Sequence, residues 1–250
     1  MYQPNRQLIS KVPEVTALFW ITKILTTGMG ETASDYLAHT LGSIPAVALG
    51  GIGLVFALLL QFSVKRYIPW VYWLAVVMVS VFGTMAADVL HIALGVPYIA
   101  STLFFTVALG AIFFIWHKNE RTLSIHSITN VRRESFYWMT VLATFALGTA
   151  AGDMTATTLH LGYFSSGILF AVLIAVPAFL RWKFQANEIF TFWFAYIITR
   201  PLGASFSDWA GVSPARGGLG LGTGPVTVVL TIVIIGCVGY LSVNQGDGKK

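Results

Sequence analysis

Eight long apolar segments alternate with short polar connections along this chain of 250 residues. The segments cover residues 13–40, 46–64, 69–92, 98–116, 135–160, 163–182, 188–210 and 222–242. A helix needs about 20 mostly apolar residues to cross the hydrocarbon core of a bilayer, and each segment approaches or exceeds that length. The pattern therefore predicts an all-α, polytopic membrane protein in which eight transmembrane helices form a single membrane domain, residues 1–250.

The composition agrees with a protein that is embedded in lipid. Hydrophobic residues make up 56% of the chain and charged residues 10%, and the mean hydropathy is +0.75. A soluble domain of this size needs more polar surface than these values allow. The first apolar segment is too long and too charged for the core of a signal peptide, so we expect no cleavage. The single cysteine, Cys237, excludes a disulfide framework.

Basic residues fall at the termini and in every second connection, and this distribution predicts the orientation of the chain. They are Arg6, Lys11, Lys65, Arg66, Lys118, Arg121, Arg132, Arg133, Arg181, Lys183, Lys249 and Lys250. The connections near 41–46, 93–98 and 161–163 carry none, and Arg216 is the exception. By the positive-inside rule both termini lie in the cytoplasm. Orientation alone thus accounts for the net charge of +5, and we expect no nucleic-acid partner.

Several tryptophans lie near the same basic connections. They are Trp70, Trp73, Trp116, Trp138, Trp182 and Trp193. Tryptophan is enriched where a membrane helix meets the headgroup region, so these residues are expected to form an interfacial aromatic belt.

One pattern of three residues occurs four times, a Trp followed by a Gly ten residues later and an Asp after five more. The copies are Trp20/Gly30/Asp35, Trp73/Gly83/Asp88, Trp138/Gly148/Asp153 and Trp193/Gly203/Asp208. Each begins a pair of helices joined by a turn near Gly42, Gly95, Gly162 or Gly211. The chain is therefore predicted to hold four two-helix repeats, at about 13–64, 69–117, 135–182 and 188–242, with residues 118–134 as a cytoplasmic loop.

A repeat of two spans returns the chain to its starting side, so all four repeats share one orientation. At a rise of 1.5 Å per residue, each Asp lies about 22 Å along the helix from its Trp, in the outer half of the membrane. If the repeats pack around a common axis, the four carboxylates form one acidic layer. An ionised side chain costs roughly 2.5–3.5 kcal/mol or more at the centre of a membrane helix, so four of them indicate a role.

The first repeat carries the most charge. Lys23, Thr27, Glu31, Asp35 and His39 follow one another at intervals of four residues and share one stripe of the helix. The lysine is expected to snorkel toward the cytoplasmic interface. The two neighbouring carboxylates must either share a proton or hold a positive charge. The position of Glu31 is Thr84, Thr149 and Ala204 in the other repeats.

The fourth repeat adds Arg200 and Pro201. The proline is expected to kink or break its helix, and the arginine to act as an internal counter-charge to Glu31 or Asp35.

These residues support two interpretations. Glu31, Asp35, Asp88, Asp153 and Asp208, with His39 and more weakly His91 and His160, are ligands that suit a divalent metal ion or groups that suit proton coupling. Alternatively, each Asp pairs with a neighbouring repeat as structural glue, and Arg200 neutralises Glu31 or Asp35.

Nearly the whole length of the chain resembles a known family. The segments Lys11-Val-Pro-Glu-Val-Thr16, Phe19-Trp20 and Lys23-Ile-Leu-Thr-Thr-Gly-Met-Gly-Glu31, with the Gly-Leu-Gly-Leu-Gly-Thr run before the last helix, resemble a bacterial family of uncharacterised integral membrane proteins. That family is built from tandem copies of a repeat of unknown function. The resemblance implies an eight-span protein of the bacterial inner membrane and no particular substrate.

We expect no enzyme, because the motifs of intramembrane aspartyl proteases, zinc proteases and serine hydrolases are absent, and the glycine-rich segment 217–224 lacks the lysine of a phosphate loop. The favoured function is a small secondary transporter or exporter of a cation, either a divalent metal ion or a proton-coupled cationic solute. A non-transporting sensor or partner subunit is the alternative. Export of a neutral or amphipathic molecule is a third, and it would need a roomy apolar cavity.

Overall fold

Eight α-helices account for most of the chain in the computed structural model, which describes residues 10–247 except for the side chains of 92, 93 and 245–247. The helices are α1 (Ala17–Leu41), α2 (Ser43–Ser63), α3 (Pro69–Asp88), α4 (Tyr98–Glu120), α5 (Val131–Asp153), α6 (Gly162–Phe184), α7 (Glu188–Gly211) and α8 (Thr223–Asp247). Within residues 10–247 there is no β-strand. The prediction of an all-α chain with eight helices is confirmed.

Five of the helices are long and apolar enough to cross a membrane, as judged over the described residues. They are α2, α3 with its extension to His91, α4, α6 and α8. The remaining three, α1, α5 and α7, carry more polar side chains, and many of those are buried inside the protein.

The helices form two concentric rings. In the inner ring α1 contacts α3, α3 contacts α5, α5 contacts α7, and α7 contacts α1 again. Each outer helix packs on the first helix of the following repeat, so that α2 lies on α3, α4 on α5, α6 on α7, and α8 on α1. The outer helices expose large apolar side chains such as Ile52, Phe104, Val172 and Ile232. The repeats therefore interlock, and their surface suits lipid.

The glycine of the repeated pattern is where neighbouring inner helices approach each other most closely. A Cβ added at Gly30, Gly83, Gly148 or Gly203 would overlap the side chain that lies eight residues before the Asp of the next repeat. Those side chains are Ser80, Phe145, Arg200 and, closing the ring, Thr27. Small residues at such crossings let membrane helices pack backbone to backbone.

Aromatic rings join the same four helices near their N-terminal ends. In each repeat the residue before the patterned Trp is Phe or Tyr, and its ring contacts the Trp of the next repeat. The pairs are Phe19–Trp73 at 5.8 Å between ring centroids, Tyr72–Trp138 at 5.6 Å, Tyr137–Trp193 at 6.2 Å and Phe192–Trp20 at 5.6 Å. We call these eight residues the aromatic layer.

The predicted interfacial belt is therefore wrong for most of its members. Trp73, Trp138 and Trp193 are 1–4% exposed and Trp116 is fully buried, whereas Trp70 and Trp182 are 48% and 77% exposed. Each patterned Trp packs against the Phe or Tyr ring of a neighbouring helix, so it is covered by protein and does not face lipid.

The turns and loops differ from expectation in two places. Gly42, Gly95 and Gly162 have positive φ, as turn glycines should, but Gly211 is the last residue of α7 and the turn follows it. The loop expected at 118–134 spans only 121–130, because α4 extends to Glu120 and α5 begins at Val131. Ion pairs from Glu120 to Arg132 and Arg133 join these two helix ends.

The end of the bundle that holds the connections 64–68, 121–130 and 185–187 is here called the basic end, and the opposite end the acidic end. At the basic end the segment before α1 is buried against two connections. The Lys11 amide donates to the Ile128 carbonyl at 3.1 Å, and the Tyr67 amide donates to the Ser10 carbonyl at 3.0 Å. The Lys11 ammonium pairs with the buried carboxylate of Glu134 at 2.5 Å. Gln61 donates to the same carboxylate at 2.8 Å.

We expect Gly148→Ala to lower the free energy of unfolding by about 1–3 kcal/mol, because the added methyl group meets the base of the Arg200 side chain. The matched control is Gly110→Ala in α4, where nothing lies within 4 Å of the added carbon. That change should be neutral or stabilising by up to about 1 kcal/mol. Denaturant unfolding of the purified protein in detergent measures both. Equal effects would contradict the close approach.

We expect Glu134→Gln to destabilise the protein by about 3–5 kcal/mol, because it leaves the buried Lys11 ammonium without an anion. Glu120→Gln is the control, since Glu120 pairs with more exposed arginines and such pairs contribute about 0–1 kcal/mol. Thermal unfolding in the same detergent compares the two variants. A Glu134 variant as stable as the control would show that the pair contributes little.

Candidate functional site

The side chains at four-residue intervals before each patterned Asp line the centre of the inner ring. Going from the acidic end to the basic end, successive levels hold the four Asp, then Glu31 with its counterparts, then Arg200 with its counterparts, and then Lys23 with Tyr196. The geometry of the ring explains this order, because parallel helices with the same spacing place equivalent positions at the same depth.

Arg200 joins all four repeats at the level of Glu31. Its side chain is fully buried, and its Nη2 donates to the Glu31 Oε2 at 2.5 Å and to the Thr149 Oγ1 at 2.6 Å. The same nitrogen donates to the Thr84 hydroxyl. Glu31, Thr84 and Thr149 occupy the same position of repeats 1, 2 and 3, so one guanidinium from repeat 4 contacts the equivalent residue of every other repeat. Of the two partners predicted for the counter-charge Arg200, the ion pair is made with Glu31 rather than with Asp35.

Two of the three guanidinium nitrogens have no hydrogen-bond partner. Arg200 Nε and Nη1 are buried without a hydrogen bond, and the Cζ lies 5.5 Å from the centroid of the Phe145 ring. The hydroxyl of Ser80 is likewise buried without a partner. The centre of the ring therefore keeps unused donors next to its one ion pair of Arg200 and Glu31.

The four Asp side chains gather at the acidic end, above that ion pair. We call Asp35, Asp88, Asp153 and Asp208 the acidic layer. The Glu31 carboxylate lies within electrostatic range of all four. Asp208 is 7% exposed and the other three are half-buried. In the part of the chain that the structure describes, none of the four carboxylates accepts a hydrogen bond or forms an ion pair within 4.0 Å.

Arg216 reaches this layer from the connection between α7 and α8. It lies within electrostatic range of Asp35 and Asp153, and its Nη2 donates to the Tyr163 hydroxyl at 2.9 Å. Its position explains why this arginine departs from the distribution of the other basic residues, since it faces the acidic layer rather than anchoring a basic connection.

Of the three histidines considered as ligands, the structure brings one to the acidic layer. His91 lies with Asp88 and Asp153 so that one ligand atom from each is within 4.8 Å of the others. Its Nε2 is 2.6 Å from the Ser101 Oγ. His39 and His160 are exposed at helix ends and are not part of this group.

The expectation that Lys23 snorkels to the interface is wrong. The side chain is fully buried, and its Nζ lies 4.2 Å from the centroid of the Phe145 ring and 4.3 Å from that of Tyr196. It has no hydrogen-bond partner. Because α8 and α2 cover the outside of α1, the stripe that holds Lys23, Glu31 and Asp35 can only face the ring centre.

The expected break at Pro201 is also absent, since α7 continues as a helix from Glu188 to Gly211. Near the proline, the Thr199 carbonyl accepts a hydrogen bond from the Thr27 hydroxyl at 3.1 Å, which joins α7 to α1. Gly203 and Gly28 pack at the same crossing, so α7 is held against α1 next to the proline.

Away from the centre, a cavity of about 660 Å³ opens at the basic end between α1, α6, α7 and the connection 121–130. Its apolar wall includes Trp20, Ile174 and Phe192, and its polar rim includes Arg181 and Glu188. It lies beside the N-terminal ends of α1 and α7, so it is separate from the acidic layer.

Several residues of the centre were not singled out from the sequence. Ser101 and Phe145 look like ordinary members of apolar helices, and the ring before each Trp is one aromatic residue among many. The last of these had a usable signal, because Phe or Tyr precedes Trp in all four repeats.

Comparison with known proteins gives one result. No curated protein and no solved structure matches the chain. Four consecutive segments, residues 18–67, 71–122, 136–187 and 191–247, match one repeat family, whose description is Repeat of Unknown Function (DUF347). These segments cover most of the chain, and each contains one whole copy of the Trp, Gly and Asp pattern. The chain therefore belongs to the family of proteins built from tandem copies of this repeat.

Proposed function

We propose that this protein is a secondary transporter or exporter of a small cation, with eight membrane spans and both termini in the cytoplasm of a bacterial cell. The observation that carries the proposal is the acidic layer, in which four carboxylates without hydrogen bonds converge above Glu31 and Arg200. In this orientation the acidic end faces outward and the basic end faces the cytoplasm.

The charges at the centre favour a bound cation. The acidic layer and Glu31 supply five carboxyl groups, while Arg200 and Arg216 supply two guanidinium groups within electrostatic range. Carboxylates inside a membrane protein are stabilised by protons, cations or hydrogen-bond donors. These four accept no hydrogen bond from the described part of the protein, which leaves their oxygens available to protons, water or a metal ion. Structural glue predicts instead that each Asp is bonded to a neighbouring repeat.

Arg200 supplies a means of passing the cation on. A cation that reaches Glu31 from the acidic layer competes with the guanidinium for the same carboxylate. The unpartnered Nε and Nη1 and the nearby ring of Phe145 give Arg200 an alternative position when it is displaced. The guanidinium then leaves Glu31 when the cation binds there, and it returns to Glu31 when the cation leaves.

The path is closed toward the basic end. Lys23 and Tyr196 fill the next level, and the aromatic layer follows it. The hydroxyls of Tyr72 and Tyr137 are 2.5 Å apart within that layer. Release to the cytoplasm therefore requires the aromatic layer to open while the acidic layer closes, which is an alternating-access cycle with one centre.

A non-transporting sensor or subunit is the second candidate, and the contacts of Arg200 favour it. One guanidinium that ties Glu31, Thr84 and Thr149 together would hold four repeats in a fixed ring. Under this alternative the acidic layer contributes to stability and carries nothing. The export of a neutral or amphipathic molecule would instead use the cavity at the basic end.

We expect the double change Glu31→Gln with Asp35→Asn to reduce cation flux by about tenfold or more, which corresponds to losing about 1.4 kcal/mol of binding. The measurement is uptake of metal ions and of protons by proteoliposomes that contain the purified chain. Glu120→Gln, at the basic end, is the control and should transport normally. Unchanged flux in a correctly inserted double variant would remove the support for transport.

Single Asp→Asn changes at all four positions separate the two candidate functions. Transport predicts unequal losses of flux, with Asp35 most sensitive because it belongs to the same stripe as Glu31, and small effects on stability. A structural layer predicts the reverse. Each change should then lower stability by a similar amount, and neither the wild-type protein nor any variant should show flux. Thermal unfolding and proteoliposome uptake, measured on the same preparations, decide between them.

A further inference from the structure

We propose that Asp88, His91 and Asp153 form a binding site for a divalent first-row transition-metal ion at the acidic end of the bundle. The inference rests on the proposed function, in which this site binds the cargo at the acidic end. It assigns the ligands to repeats 2 and 3, although the first repeat carries more charge.

The three side chains come from two neighbouring inner helices. Asp88 ends α3, His91 lies one turn beyond it, and Asp153 ends α5. One ligand atom from each lies within 4.8 Å of the others. Metal bonds near 2.1 Å place tetrahedral ligand atoms about 3.4 Å apart. Small rotations of half-buried side chains are enough to cover that difference.

A hydrogen bond with Ser101 fixes the position of the imidazole beside the two carboxylates. The Ser101 hydroxyl donates to the Tyr98 carbonyl at 3.0 Å, so its oxygen is left to accept from the His91 Nε2, 2.6 Å away. The hydrogen then resides on Nε2, and Nδ1 keeps its lone pair. Nδ1 is buried and has no partner. A ligating histidine that donates its other N–H to a neighbouring acceptor is the usual arrangement around a protein-bound metal.

The backbone departs from regular helix at both ligand helices. A π-helical turn, Val89–Ala93, follows Asp88 directly and contains His91, and a second, Met154–Thr158, follows Asp153. The corresponding helices of repeats 1 and 4 continue as α-helix to Leu41 and Gly211. Single π-helical turns occur frequently at functional sites. The two turns are found in the repeats that supply the three side chains.

The donor set indicates the class of metal. One imidazole nitrogen with two carboxylate oxygens suits Zn²⁺, Mn²⁺, Co²⁺ or Ni²⁺. Mg²⁺ and Ca²⁺ prefer ligand sets made only of oxygen. Two carboxylates match the charge of a divalent ion, and the remaining coordination positions are open to water on the exposed side.

The site is tested by titrating the full-length protein in detergent with Co²⁺ and following the visible absorption of the bound ion. Zn²⁺ should displace Co²⁺, and a large excess of Mg²⁺ should not. We expect His91→Gln to weaken Co²⁺ binding by at least about 10–100-fold, which is the effect usually seen when even a supporting residue is lost. The control is His160→Gln, which removes an exposed histidine at the same end.

Ser101→Ala is a second test, which applies even if a ligand variant fails to fold. It leaves all three ligands in place and removes only the hydrogen-bond acceptor of His91. We expect it to weaken binding by about 10–100-fold as well. Wild-type affinity in His91→Gln, equal losses in His91→Gln and His160→Gln, or displacement of Co²⁺ by Mg²⁺ would each overturn the proposal.

The outcome is distinguishable from failure of the proposed function. Metal binding that depends on His91, with no flux in proteoliposomes, supports the site and counts against transport. Flux that depends on Glu31 and Asp35 but is unaffected by His91→Gln, in protein that binds no Co²⁺, supports transport and overturns the metal site.

Discussion

A guanidinium group buried inside a membrane protein has to find acceptors from the protein itself, and the position of Arg200 shows how this one finds them. Three of its neighbours, Glu31, Thr84 and Thr149, occupy one position of three successive repeats. The fourth copy of that position is Ala204, which has no polar group, and Arg200 reaches the same level from one turn away on the same helix. Arg200 occurs in one repeat only, yet it contacts equivalent positions of the other three. The four inner helices therefore meet around its guanidinium group.

That arrangement depends on close contact between backbones. The glycine of each repeat receives the side chain of the next, and for Gly148 this side chain is Arg200 itself. The pattern of Trp, Gly and Asp can then be understood position by position. The Trp seals the basic end with the ring of a neighbouring repeat, the Gly allows the helices to meet, and the Asp is left at the acidic end without a hydrogen bond. The first two positions serve the fold, and the third is available for function.

Much of the fold could be predicted from the sequence because its signals repeat. Four copies of three residues at fixed spacing define the helix pairs. The eight apolar segments begin and end within a few residues of the observed helices. The direction of Lys23 could not be predicted in this way, because a lysine near a helix end is compatible with the interface as well as with the interior. Its burial depends on α8, which is the last helix of the chain and covers α1 from outside. The ion pair of Lys11 and Glu134 could not be predicted either, because 123 residues separate the two and neither belongs to a recognisable pattern.

The interlocked packing has a consequence for biogenesis. Since α8 packs against α1, and Glu31 pairs with Arg200 from α7, α1 gains α2 and α3 as neighbours early but completes its packing only when the fourth repeat is present. Until then Glu31 lacks its guanidinium partner, and an unpaired charge is costly inside a bilayer. The stable placement of α1 is therefore expected to depend on a repeat that lies at the far end of the sequence from it.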